Sequence, residues 1–268
     1  MIEQTKNGVV FYQSELLSAD GGIAHGFSTR YGGVSQGIFS SLNLGHTRGD
    51  DPEAVRENYR RFCAATGTDV EKLVFTKQVH RDDIHIATSA DAGKGLYRPR
   101  NWEVDGLVTD VPGLPLVIFS ADCLPVLLYD PVRRVIGACH CGWRGTALGL
   151  ARKTADTLCQ VYGSRPSDLR AAIGPGISRC CFETDRDVPV AMIHALGDDA
   201  LPSIDELGNG RYKVDCKEIN RTWLIRAGLN PENIEISDQC TCCHPEKYWS
   251  HRRVGQERGS LAAIIQLL

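Results

Sequence analysis

The 268-residue chain has no long apolar run: nothing in it approaches the roughly 20 residues that cross a bilayer. Its first residues, Met1-Ile-Glu-Gln-Thr-Lys-Asn-Gly8, carry neither the basic nor the apolar region of a secretory signal. A cytoplasmic protein is therefore expected, with no membrane partner. There is also no excess of one charge. Lys and Arg number 30 against 33 Asp and Glu, and the formal net charge of −3 offers nothing to nucleic acid. No internal repeat, low-complexity tract or Gly/Ser/Pro linker divides the sequence, so one domain spanning 1–268 is expected. A monomer is compatible with the sequence, which does not fix the oligomeric state.

Cysteine is what the chain has in abundance: 11 residues, an odd number, beside an ordinary 42% hydrophobic and 24% charged content. Disulfides do not persist in a reducing compartment, so most of these thiols read as small buried apolar side chains. Cys240-Thr-Cys-Cys-His244 and Cys180-Cys181 each look like a zinc knuckle. Neither has a matching second half at ribbon or finger spacing, and core or incidental thiols are the expectation there.

Turn signals and apolar runs place strands over 9–12, 23–27, 73–79, 106–109, 116–119, 125–129, 135–139, 168–173, 234–237 and 261–267. Asp51 followed by Pro52 opens a helix over 51–65 that runs to Gly67. Further helices are expected over 145–162, 187–196 and 216–227. Strands and helices mix without regular βαβ alternation, which predicts an α+β domain with mixed β-sheet layers flanked by helices.

The chemistry concentrates in Ser120-Ala-Asp-Cys-Leu-Pro125 and Ala138-Cys-His-Cys-Gly-Trp-Arg-Gly145, preceded by Lys77-Gln-Val-His80. The 125–129 and 135–139 strands form a hairpin across the 130–134 turn, bringing Cys123 and His140 together at its open end. A thiolate and imidazoles with one free coordination position suit catalytic zinc, so His80, Cys123 and His140 are the candidate metal ligands. Asp122 stands beside Cys123, as a carboxylate that orients an imidazole does. Arg30, in the glycine-rich turn Phe27-Ser-Thr-Arg-Tyr-Gly-Gly-Val-Ser-Gln-Gly37, and Arg144, ahead of a helix, are candidate anion contacts. Asn43, between two leucines, reads first as a turn cap.

Taken together these segments resemble the bacterial multicopper polyphenol oxidase-like family, also called the laccase-domain or purine nucleoside phosphorylase family, which includes proteins named peptidoglycan editing factor. The matching stretches run from His25-Gly-Phe-Ser-Thr-Arg-Tyr-Gly-Gly-Val-Ser35 through Ser41-Leu-Asn-Leu-Gly45, Gly49-Asp-Asp-Pro52 and Gln78-Val-His80. They continue through Val104-Asp-Gly-Leu-Val-Thr109, Ala121-Asp-Cys-Leu-Pro-Val126, His140-Cys-Gly-Trp-Arg-Gly-Thr146 and Ala172-Ile-Gly-Pro175. The resemblance implies metal binding by His80, Cys123 and His140, with zinc as the metal. It also implies phosphorolysis of purine nucleosides and an accompanying adenosine deaminase activity. The chain departs from the family pattern at Arg81 (usually Gly), Tyr59 (commonly Arg), Cys141 (usually Ala) and His251 (commonly Tyr).

The expected protein is thus a zinc-dependent purine nucleoside phosphorylase acting on a nucleoside and phosphate. Arg30 or Arg144 would bind anionic groups, and Asn43 or Asp105 would contact the nucleoside. Asp105 and Asp122 are the candidate acid–base residues. Three rivals stand beside it: a copper-dependent phenol oxidase, a hydrolase with Cys123 as nucleophile that edits cell-wall precursors, and a nonenzymatic metal-binding module. Eight histidines with no His-X-His pair weigh against multicopper ligation.

Overall fold

A computed structural model describes residues 1–268. Two six-stranded sheets form the centre. The first runs, edge to edge, Ile2–Lys6, Val9–Gln13, Ile23–Ser28, Leu261–Leu267, Leu116–Ser120 and Val74–Phe75. The second runs Ile234–Ile236, Arg170–Ile173, Leu124–Asp130, Val135–Cys141, Gly106–Thr109 and Ile84–Ile86. Most pairs are antiparallel. Val74–Phe75, Ile234–Ile236 and Ile84–Ile86 each join an edge in parallel, so both sheets are mixed, as expected.

The two-residue period of a strand decides what each face touches. Leu116, Ile118, Ala263 and Ile265 of the first sheet pack against Leu127, Tyr129, Ile136 and Ala138 of the second, making the middle of the molecule. The intervening Val117, Ala262 and Ile264 face the other way and meet Val55, Tyr59 and Phe62 of the Pro52–Thr66 helix. Val126, Leu128, Cys139 and Cys141 turn outward from the second sheet onto Leu158, Met192, Ile219 and Trp223. These come from the Leu150–Tyr162, Asp187–Leu196 and Cys216–Arg226 helices. The result is helix, sheet, sheet, helices, with the central strands buried on both faces and reading as continuous apolar runs. No helix is long and apolar enough to cross a membrane.

The Pro52–Thr66 helix starts as expected, with the Asp51 carboxylate accepting the Glu53 N–H at 3.0 Å, and ends at Gly67 with φ 80°. Two expectations need correcting. The strand over 73–79 is confined to Val74–Phe75, because the backbone N–H of Val79 turns to a side-chain carboxylate instead of a neighbouring strand. The helix over 145–162 is two helices, Trp143–Ala147 and Leu150–Tyr162. They break at Gly149, whose φ of 70° favours glycine and where an added Cβ would stand 3.3 Å from the Trp223 ring. A small sheet of Glu183–Thr184, Arg211–Val214 and Ile204–Gly208 was not anticipated.

Candidate metal centre

The hairpin does what its spacing predicts. Leu124 pairs with Cys141 and Pro125 with His140, so Cys123, one residue before its strand, lies at the open end beside His140. The donor atoms of His80, Cys123 and His140 all lie within 4.8 Å of one another. His80 reaches them from a loop, in a left-handed backbone conformation with φ 61°.

That loop is shaped by Asp105. The backbone N–H groups of Val79, His80 and Arg81 donate to its carboxylate at 2.9, 3.1 and 3.0 Å. His140 Nδ1 lies 2.8 Å from the same group, and the His140 N–H donates to the Asp105 carbonyl at 2.8 Å. One fully buried carboxylate therefore positions both imidazoles. Because a carboxylate only accepts, His140 Nδ1 must carry the proton, and Nε2 is left for the centre.

The electrostatics follow from this geometry. Burial alone would raise the Asp105 carboxyl, but the His140 hydrogen bond and the loop N–H donors outweigh it and hold it below the usual range. Burial would likewise raise the Cys123 thiol, yet the two neighbouring imidazoles bring it down to about 6. Burial would lower His140, but the Cys123 thiolate and Asp105 lift it to about 10. The imidazoles thus shift Cys123 toward the thiolate, the form that serves as a ligand or as a nucleophile.

Gly142 supplies the space. A Cβ there would stand 3.0 Å from His80 Cδ2, 3.1 Å from Cys123 Sγ and 3.6 Å from His140 Cε1. Its φ of −64° and ψ of 169° suit any residue, so glycine is needed for room and not for conformation. Three soft or borderline donors converging on a gap kept open in this way fit a metal ion.

Two cavities meet at the trio. One, of about 410 Å³, is walled by Asp122, Trp143, Arg144, Ile177, Phe182 and Arg252. The other, of about 320 Å³, is walled by His46, Lys77, Arg100 and Ser120, and Arg48 and Arg258 line both. Arg258 is 6% exposed, and burial holds its guanidinium down at about 10. Its Nε, the Nε of Arg100 and Nδ1 of His46 are buried without a partner in the chain. Sequence reasoning missed His46, Arg48, Arg100 and Arg258, which lie outside the motif-bearing segments.

Asp122 has φ 94°, and its carboxylate accepts from Thr241 Oγ1 at 2.6 Å, Ser250 Oγ at 3.1 Å and the Arg252 N–H at 2.6 Å. It ties the Cys123 turn to the 241–252 segment. Arg144 is exposed at the cavity wall, with its guanidinium 4.2 Å from the centre of the Trp143 ring. Two candidates lie elsewhere. Arg30 is spent on the Ser40 and Pro245 carbonyls and stacks on Trp249. Asn43 is fully buried behind the second cavity, accepting the Gly45 and Ser260 N–H groups. Of the departures, Tyr59 is in the core with its hydroxyl on the Leu44 carbonyl, and Arg81 keeps its side chain at the surface.

Residues 24–268 match the family described as multi-copper polyphenol oxidoreductase laccase. The purine nucleoside phosphorylase YlmD of Bacillus subtilis (strain 168) is 36% identical over 90% of this chain and 87% of its own. The purine nucleoside phosphorylase YfiH of Escherichia coli (strain K12) is 33% identical over 92% of this chain and 95% of its own. The crystal structure of YlmD from Geobacillus stearothermophilus superposes with a TM-score of 0.91 at 34% identity, covering 98% of this chain and 97% of that one. With this coverage and identity, the chain belongs to the multi-copper polyphenol oxidoreductase laccase family.

Proposed function

We propose that this chain is a purine nucleoside phosphorylase holding one zinc ion at His80, Cys123 and His140, with adenosine deamination as an accompanying activity. The observation that carries the reading is the meeting of two unlike cavities at that trio. Arg48, Lys77, Arg100 and Arg258 suit phosphate, and a buried guanidinium without a partner on Nε calls for an anion. Trp143, Ile177 and Phe182 suit a flat purine. The names carried by the relatives point the same way.

In phosphorolysis a phosphate oxygen bonds to the anomeric carbon as the glycosidic C–N bond breaks. The purine departs with the bonding pair and takes up a proton. The work of the chain is to hold phosphate against the ribose and to stabilise the charge that develops on the sugar and the base. Arg258 and Arg48, common to both cavities, stand where the two reactants would meet. Arg144 would serve the nucleoside side and not the phosphate side. Asp122 lines that side and is the candidate acid–base residue, whereas Asp105 is a positioning residue with no surface to offer a substrate. When bound, zinc supplies a Lewis acid that lowers the pKa of a water for deamination. Zinc over copper is supported by the donor set, since no further histidine joins the trio and Met192 is locked in the core.

Zinc-replete protein should release hypoxanthine and ribose 1-phosphate from inosine only when phosphate is present. It should convert adenosine to inosine without phosphate. Absence of both products, beside a working control phosphorylase, defeats the reading. A thiol hydrolase is the second reading, favoured by the chain of contacts from Asp105 through His140 to Cys123. The second imidazole on that sulfur favours a metal. Alkylation separates them: Cys123 protected until a chelator is added supports zinc, and rapid labelling of metal-replete protein with loss of turnover supports the nucleophile.

A further inference from the structure

Four thiols far from the centre in sequence come together at the surface. Cys180 and Cys181 follow the Arg170–Ile173 strand, and Cys240 and Cys243, spaced C-x-x-C, follow Ile234–Ile236. These two strands are parallel neighbours. The pairing continues past them as a bridge between Gly176 and Cys240, with the Thr241 N–H donating to the Gly176 carbonyl at 3.1 Å. Each pair of thiols is the half that the other lacks in sequence.

We propose that Cys180, Cys181, Cys240 and Cys243 form a second metal site, a tetrathiolate holding one structural zinc ion. Zn–S bonds of about 2.3 Å in a tetrahedron set neighbouring sulfurs ~3.8 Å apart. Here Cys180 and Cys181 are 3.8 Å apart, Cys180 and Cys243 3.5 Å, and Cys181 and Cys243 3.4 Å. All four sulfurs lie within 4.8 Å of one another. That spacing suits a single ion and is too tight for an iron–sulfur cluster, whose inorganic core would push the thiolates apart. The Ser178 N–H points at Cys240 Sγ from 3.4 Å, the kind of backbone donor that stabilises a coordinated thiolate.

The surroundings also expect negative charge. Lys217 is 5% exposed and donates to the Ser237 and Gln239 carbonyls at 2.7 and 2.9 Å, with no carboxylate within salt-bridge distance. The negative groups that act on it are Cys240 first, then Asp215 and Asp238, with Cys180 after them. A buried ammonium in this position offsets part of the charge of a tetrathiolate site. Cys242 is buried in the small apolar cluster that also holds Ile177 and Cys240, and its sulfur is not among the four that converge.

The ion would fasten the loop bearing Ile177 and Phe182 to the segment that supplies Thr241, Ser250 and Arg252 to Asp122. It would therefore brace one wall of the nucleoside-side cavity from outside, and it stands whether or not the proposed reaction is right.

The test is zinc content per chain, measured by mass spectrometry on protein purified under reducing conditions. Wild type should carry about two zinc ions, and H80A/C123S/H140A about one. C180S/C243S should also carry about one, and C242S about two. Cobalt-loaded H80A/C123S/H140A should give the strong thiolate-to-cobalt charge-transfer bands of a tetrathiolate. A folded H80A/C123S/H140A protein that holds no metal and shows these four thiols free, or paired as disulfides, overturns the proposal. So does iron in place of zinc, or C180S/C243S that keeps both ions. The trio variant decides even where the cysteine variant does not fold.

Discussion

Asp105→Asn isolates what a single buried carboxylate does for this centre. The four donors on Asp105 divide between its oxygens: His80 N–H and His140 Nδ1 on one, Val79 and Arg81 N–H on the other. An asparagine keeps the shape but replaces one oxygen with a donor, so two donors lose their acceptor and face an NH₂ group. An unsatisfied buried donor costs roughly 1–3 kcal/mol, so a loss of about 2–5 kcal/mol is expected. At roughly 2–4 °C per kcal/mol for a chain of this size, Tm should fall by about 4–20 °C. Removing the partner of a ligating histidine should also weaken zinc binding by about 10–100-fold. Competition against a chromophoric chelator and melts with and without zinc measure both. Turnover at saturating zinc should recover most of its wild-type value if Asp105 only positions, and should stay lost if it carries protons. Zinc affinity within about twofold of wild type would refute the positioning argument.

Gly142→Ala tests the space between the ligands: its backbone angles tolerate alanine, but the added carbon meets His80 and Cys123. Far-UV circular dichroism should be unchanged while most of the zinc at the trio is lost, and full retention would show that the gap is not required. Arg258→Gln should raise KM for phosphate by about tenfold or more while leaving phosphate-free deamination much less affected, because a charge-assisted contact to the anion is lost. Equal loss of both activities would assign Arg258 a structural role instead. His25 is fully buried, and burial depresses it from 6.5 to about 4 while its Nε2 accepts the Ser14 N–H. The unfolded chain then binds more protons than the folded one between these values, so stability falls as pH drops from about 6.5 to 4. The loss is about 3 kcal/mol at roughly 1.4 kcal/mol per pKa unit. Urea titrations at pH 7 and 4.5 should show it, and His25→Asn should remove that part of the slope; an unchanged slope would refute the assignment.

What was legible in the sequence was local or carried by alternation. The hairpin that joins Cys123 to His140 needs only its turn and two apolar runs, and its register follows. The Pro52–Thr66 helix is announced by Asp51, Pro52 and Gly67. What stayed hidden depends on one segment answering another. Residues 76–79 read as the continuation of a strand until Asp105, some 25 residues on, takes the N–H groups of Val79, His80 and Arg81. Gly149 looks like an ordinary helix residue until the Trp223 ring arrives against it. Arg48, Arg100 and Arg258 come from three unrelated loops and become one basic wall only when the sheets have stacked.

The cysteines give the sharpest case. Spacing rules for metal sites assume that each half is locally complete, with two ligands flanking a turn. Cys240 and Cys243 satisfy this, but Cys180 and Cys181 are adjacent and could not chelate as a turn of their own. They become a second half because Arg170–Ile173 and Ile234–Ile236 lie side by side and in parallel, delivering both chain exits to the same end of the sheet. Parallel neighbours always send their following loops to one edge, and this is why open sheets gather functional loops there. The same geometry places Ile177 and Phe182 on the cavity wall. A strand order that sequence could not give thus builds both the thiol cluster and the wall it would brace, and the two should fail together when the sulfurs are removed.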